Sequence, residues 1–258
     1  MNKTFKTALI LGNGPSAKTV DFENIAMFDV FGMNAAYRYW HQIERYPDYY
    51  SCLDLVVGLS HKHEIESLIS RRADYGIEKF LLRDNLIAEL GVDLCDQAII
   101  NFDDIRASTR CFATRPVTTG SHTLAWAAAL GYKNIFIIGV DCDYVQIIDE
   151  ATLEPDGTLL VNENPKKAVN YFFDGYQQTG DRYNVPDPSA DLHVSSWRNI
   201  ASTLPKNVSV GNLNANSKMD AFEFSTWDYA LAQASKATRS KPTLVKKLGV
   251  KVSGLFGK

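Results

Sequence analysis

The stretch Ala8-Leu-Ile-Leu-Gly-Asn-Gly-Pro-Ser16 decides the fold. Its run of apolar residues reads as a strand buried on both faces, as in a parallel sheet covered by helices. Gly12 and Gly14 let the backbone turn sharply and approach a ligand closely. Pro15 suits the first turn of a following helix, where Ser16 adds a hydroxyl. Free N–H groups at a helix start attract phosphate, so the turn marks a nucleotide site at the end of the first strand. The alternative is an ordinary strand-to-helix turn without a ligand. The motif lacks the third glycine of a dinucleotide fingerprint and the lysine of a P-loop, so neither of those sites is expected.

Working outward, strand-like apolar runs recur at Thr7 to Leu11, Asp29 to Met33, Tyr50 to Val57, Lys79 to Leu82, Asn134 to Val140 and Val208 to Leu213. Helical patterns lie between several of them, which predicts a mostly parallel α/β sheet flanked by helices. The clearest unit starts a helix at Thr119-Gly-Ser-His, caps it at Gly131 and continues into the strand Asn134-Ile-Phe-Ile-Ile-Gly-Val. From Asp141 to Asp191 the chain becomes polar, aromatic and aperiodic, and Asn170-Tyr-Phe-Phe-Asp-Gly-Tyr favours an ordered lid. The expected organisation is one domain over 1–228 with a lid inserted at 142–192, followed by a tail over 229–258.

The 258 residues, 45% hydrophobic and 22% charged, suffice for a large soluble core. A net charge of −3 gives no reason to expect nucleic acid. The cysteines, Cys52, Cys95, Cys111 and Cys142, show no paired spacing, and the first apolar run is short for a signal peptide, so a reduced cytoplasmic protein is expected. No stretch approaches the roughly 18 apolar residues of a membrane span. Oligomerisation is left open.

Residues just after each strand are the first candidates for ligand contact in a parallel sheet. Here they are Asn13 and Ser16 after the first strand, Asn34 after the second, and Asp141 after the strand that ends in Gly139-Val. Asparagine both gives and accepts hydrogen bonds, and Asp141 can accept from sugar hydroxyls. Thr118-Thr-Gly-Ser121 at a helix start is a candidate second anion site, with a plain N-cap as the alternative. Asp141-Cys-Asp143 has the Asp-x-Asp spacing that holds a divalent cation across a diphosphate. His193 follows the lid at a helix start and is a candidate general base, with packing against Trp197 as the structural alternative. His61 and His63 read as solvated surface residues.

Past Asp228 the chain has no acidic residue but carries Lys236, Arg239, Lys241, Lys246, Lys247, Lys251 and Lys258. A helix from Thr243 would set Leu244, Leu248, Val252, Leu255 and Phe256 on one side, against glycines that weaken it. Peripheral contact with an anionic membrane is therefore expected of the tail, with a disordered tail as the alternative.

Taken in order, Gly12-Asn-Gly-Pro-Ser16, Met33-Asn34, Thr118-Thr-Gly-Ser121, Ala129-Leu-Gly-Tyr-Lys-Asn-Ile-Phe-Ile-Ile-Gly-Val-Asp141, Asn170-Tyr171 and Asn216-Ser217 resemble the family-42 bacterial sialyltransferases. They are similar also to a broader Rossmann-like group with motility-associated flagellin glycosyltransferases and a 6-hydroxymethyldihydropterin pyrophosphokinase. The resemblance implies a Rossmann-like, GT-A-like fold and transfer from a CMP-sugar, most plausibly a CMP-linked nonulosonic acid, to a glycan or protein acceptor such as lipopolysaccharide, capsule or flagellin. It sets Gly12, Asn13, Gly14, Ser16 and Asn34 near phosphate and sugar, Thr119, Gly120 and Ser121 near the donor, and Tyr144 in a closing lid beside Asp141 and Asp143. Displacement would be direct and inverting, with no obligatory metal. Where the family has a His-Tyr pair this chain reads Asn170-Tyr171, so the base role passes to His193 or Asp174. The pyrophosphokinase alternative would make Asp141 and Asp143 ligands of Mg²⁺, and a non-catalytic nucleotide-binding protein is the third reading.

Overall fold

The computed structural model describes residues 7–91, 96–145, 147–185 and 191–236. In chain order the elements are β1 (Thr7–Leu11), β2 (Asp29–Met33), α1 (Tyr37–Ile43), β3 (Tyr49–Cys52), α2 (Leu55–Ser60), α3 (Lys62–Ser70), α4 (Arg72–Tyr75), β4 (Lys79–Leu82), α5 (Asp84–Glu89), β5 (Ile99–Asn101), α6 (Phe102–Ile105), α7 (Thr119–Ala129), β6 (Asn134–Ile138), β7 (Ala151–Leu153), β8 (Thr158–Val161), β9 (Arg182–Asn184), α8 (Leu192–Thr203), β10 (Ser209–Asn212) and α9 (Trp227–Lys236). Seven strands form one parallel sheet in the order β10-β6-β1-β2-β3-β4-β5. This is the α/β Rossmann-like architecture that the alternation of apolar runs predicts.

β1 lies inside the sheet and is buried on both faces. Its side chains alternate by the strand period of two. Leu9 and Leu11 pack with Ile65, Leu68 and Phe136 on one face, and Ala8 and Ile10 with Leu124, Trp126 and Trp197 on the other. Each fully buried leucine or isoleucine contributes about 1.5–3 kcal/mol relative to exposure. The helix–strand unit forms as expected, with Gly131 at φ +97° just past α7.

Three expectations change. The run Tyr50 to Val57 is not one strand: β3 stops at Cys52 because Asp54 accepts hydrogen bonds from the Val56 and Val57 amides and caps α2. The lid region is not wholly irregular, since β7, β8 and β9 pair as a small antiparallel sheet. The folded body also continues beyond residue 228, because α9 buries Ala230 and Ala234 in the same core as β1. The remainder of the basic tail, 237–258, lies outside the described residues, and with it the membrane-contact expectation. Among the described residues no helix is long and apolar enough to cross a membrane.

Candidate functional site

β1 and β6 are neighbours, and the order of strands reverses between them. Crevices outside the carboxyl ends of strands at such a reversal are where open α/β sheets bind ligands. The turns that leave the two strands lie backbone against backbone: Gly12 N–H donates to the Ile138 carbonyl and Gly14 N–H to the Gly139 carbonyl, both at 2.8 Å. A Cβ on Gly12 would stand 2.3 Å from the Gly139 oxygen, and one on Gly139 the same distance from the Gly12 oxygen. Gly139 has φ +74°, so glycine is required there twice over.

Above this contact opens a cavity of about 440 Å³, within the size range of small-molecule sites. Gly12, Asn13, Gly14 and Asn34 form one part of its wall, and Thr118, Thr119 and Gly120 at the start of α7 another. No side chain caps α7, so its first-turn amides are available to an anionic group. The segment between β6 and α8 contributes Tyr144, Asn170, Tyr171, Tyr176 and Asn184, and α8 contributes His193.

The orientation of Asn13 is fixed by its neighbours. Its Nδ2 donates to the Met33 carbonyl (3.2 Å) and to the Tyr176 hydroxyl (2.9 Å), while its own carbonyl accepts from Phe172 N–H (3.1 Å). Because a carbonyl can only accept, Oδ1 must be the atom left over, and it is buried without a partner. Asn34 Oδ1 is also buried and unpartnered, and the residue is held at φ +51° with its carbonyl accepting from Tyr50 OH. Two buried amide oxygens on one wall therefore match a ligand that presents O–H or N–H groups.

His193 is half-buried and its ring lies 5.1 Å from that of Tyr144. The His193 ring thus packs against Tyr144. Burial holds its pKa below the ordinary 6.5, against the opposing field of Asp54 and then Asp191. It is consequently neutral at pH 7, the state a general base needs. Tyr171 stacks on Tyr176 with centroids 3.6 Å apart, and burial raises the pKa of Tyr144 and Tyr171, keeping both as hydroxyl donors. Asn170 instead exchanges two 2.8 Å hydrogen bonds with the backbone of Val145, pinning the chain that follows β6.

An ion pair joins α1 to the segment between β8 and β9. Arg38 on α1 binds Asp181 with both terminal nitrogens, at 2.5 and 2.9 Å, and donates to the Tyr176 carbonyl at 2.6 Å. His61 is buried, against the expectation of a solvated residue: it bonds Tyr37 OH at 2.7 Å and stands 3.8 Å from Asp181. Burial lowers its pKa, with Asp181 opposing. His61 and Asp181 on the cavity wall, and Arg38 behind them, went unremarked as site residues in the sequence because their partners are distant in the chain, and Asp54 because it fell inside the expected strand Tyr50 to Val57. The one local signal was Asp54, which follows a strand as Asn34 and Asp141 do.

Five sequence-derived candidates are not on the cavity wall. Ser16 and Asp141 bind one another: the carboxylate accepts from the Ser16 hydroxyl (3.0 Å), the Ser16 amide (3.3 Å) and Asn214 Nδ2 (2.9 Å). They brace the turn from behind. Ser121 is buried against Ser196 at 2.6 Å, because the third position of α7 is rotated into the helix pair. Asp174 is exposed and closes a turn by accepting from Ala168 N–H. Asp143 is exposed and paired with Lys218 at 2.6 Å. With Asp141 and Asp143 committed to different partners, the pair does not fit a Mg²⁺ site, and no group of three potential metal ligands occurs among the described residues.

No protein-family model matches the chain, and no curated protein does. Solved structures do. The sialyltransferase CstII from Campylobacter jejuni, in complex with the substrate analogue CMP-3FNeuAc, superposes with TM-score 0.51 at 18% identity, covering 85% of this chain and 86% of that one. CstII with cytidine-5′-monophosphate gives TM-score 0.52 at 17% identity, covering 90% and 98%. The MAf glycosyltransferase from Magnetospirillum magneticum gives TM-score 0.46 at 14% identity, with this chain spanning 38% of its length. The chain thus shares the fold of solved CstII.

Proposed function

We propose that this protein is a glycosyltransferase that takes its sugar from a nucleotide-activated donor, a CMP-linked nonulosonic acid by preference, with His193 as the base. The observation that carries the reading is the composition of one cavity: uncapped amides of α7 for an anion, the unpartnered oxygens of Asn13 and Asn34 for hydroxyl or amino groups, and a neutral histidine among the lining residues. The solved structures of similar fold that hold CMP or a CMP-sugar analogue support the same donor.

In the proposed reaction His193 takes the proton of an acceptor hydroxyl as the acceptor oxygen bonds to the anomeric carbon. The bond from that carbon to the phosphate oxygen breaks, and its electron pair leaves on CMP. Inversion follows from direct attack on the face opposite the leaving group. The α7 amides stabilise charge gathering on the phosphate, and Tyr144 and Tyr171 bring hydroxyl donors to the same cavity. The residues present call for no metal in these steps. A glycan or a protein side chain can supply the hydroxyl.

The test is a thermal-shift panel of CMP, CDP, UDP, GDP and ATP, with and without Mg²⁺, since a ligand of the folded state raises the melting temperature. Stabilisation by CMP without metal is expected. Stabilisation by ATP only with Mg²⁺ would replace the reading with a kinase-type transfer. Hydrolysis of CMP-N-acetylneuraminic acid should be lost in His193→Ala, and unchanged hydrolysis would remove His193 from the mechanism.

A further inference from the structure

A base that takes a proton inside a half-buried cavity must then carry positive charge where solvation is poor. Asp54 and Asp181 line the same cavity as His193, and Asp191 adjoins it; two of these three carboxylates already have cations. Asp181 is held by both nitrogens of Arg38, and Asp191, exposed at the start of α8, lies 3.9 Å from Arg198. Asp54 differs. Its Oδ1 accepts from Val56 N–H (2.9 Å), Val57 N–H (3.0 Å) and Asn184 Nδ2 (3.0 Å), all neutral groups. Among the described residues no hydrogen bond or ion pair reaches Oδ2, and Asp54 shares the cavity wall with His193 and Tyr171.

We infer that Asp54 is a positioning residue for His193, its carboxylate serving as the counter-charge of the imidazolium formed when the acceptor hydroxyl gives up its proton. The carboxylate is immobilised by the start of α2 on one side and by β9 of the lid on the other. It therefore meets the new charge without reorganising, the condition under which a fixed charge contributes most. Tyr144, against the histidine ring, stays neutral and adds no competing charge. Asp54 and Asp191 both favour the protonated ring, and burial opposes it. The inference rests on His193 being the base.

The experiment is an NMR titration of the His193 imidazole in the ligand-free protein, its signal assigned by its absence from His193→Gln. Asp54→Asn keeps an oxygen for the α2 cap, and Asp54→Ser is a second variant that also caps. Both should move the His193 midpoint to lower pH by about half a pH unit or more, and Asp191→Asn by less. In the same variants hydrolysis of CMP-N-acetylneuraminic acid should lose about tenfold in kcat, with KM held and the acid limb of the pH profile moved down. An unchanged midpoint in Asp54→Asn overturns the inference whatever the activity. A shifted midpoint with no donor turnover by the wild-type protein would overturn the transferase reading, and the catalytic half of the inference with it.

Discussion

Replacing Gly12 by alanine tests the geometry on which the site depends. The new methyl carbon would lie 2.3 Å from the Gly139 oxygen, 2.7 Å from its carbonyl carbon and 2.9 Å from Val140 Cγ2. Two of those atoms are backbone of the turn leaving β6, which its hydrogen bonds hold in place, so a rotamer change cannot relieve the overlap. Overpacking of this kind costs about 1–3 kcal/mol, and a backbone obstacle puts Gly12→Ala near the top, at about 3 kcal/mol. For a chain of this size that is a drop in Tm of about 6–12 °C. Gly157→Ala is the control: at φ +83° with no atom in reach of its Cβ, it carries only conformational strain, about 1 kcal/mol. Thermal unfolding followed by circular dichroism measures both. If Gly12→Ala melts within about 2 °C of wild type, or no lower than Gly157→Ala, the close crossing of the two turns is wrong.

Other outcomes follow from individual contacts. Burial lowers the His122 pKa to about 4, so between pH 6.5 and 4 the unfolded chain binds a proton that the folded one refuses. Stability is fully present above pH 6.5 and falls as the pH drops through that window, by up to about 3 kcal/mol; urea midpoints at pH 7 and 4.5 should converge in His122→Gln. Arg38→Met leaves Asp181 unpaired beside the cavity at a cost of about 3–5 kcal/mol, and limited proteolysis should then cut faster within 142–192. Asn13→Asp sets a carboxylate against the Met33 carbonyl and repels phosphate, so CMP affinity by calorimetry should fall at least about tenfold. Equal affinity would mean that Asn13 does not face the nucleotide.

Much of the fold was legible because periodicity is local. The β1, β2, β4, β6 and β10 runs are short, apolar and bounded by turn residues, and the Gly-Asn-Gly turn follows directly from two glycines that the crossing demands. What escaped detection depends on distance in the chain. Leu55 to Val57 is as apolar as a strand, and only the Asp54 side chain, folding back onto two amides, turns it into a helix. β7, β8 and β9 have three or four residues each, too few for alternation to register. His61 is buried through Tyr37 and Asp181, and Asp181 is paired by Arg38 from over a hundred residues away. Ser16 and Asp141 illustrate the converse error: both stand at the expected strand ends, yet they are 125 positions apart and satisfy one another. Position after a strand brings a polar residue to the site, but its partners decide whether it faces the ligand.

Asn13 belongs to the Gly12-Asn-Gly turn by its place in the chain and to the expected lid segment by its bonds, through Phe172 and Tyr176. Sharing one residue makes the two parts reciprocal: whatever free energy a ligand gains by settling against Asn13 is available to hold the lid, and a firmer lid raises affinity by the same factor. In the proposed transferase, outlying lid residues can then be exchanged to suit a different acceptor, while the donor end keeps its grip, so long as that single amide remains.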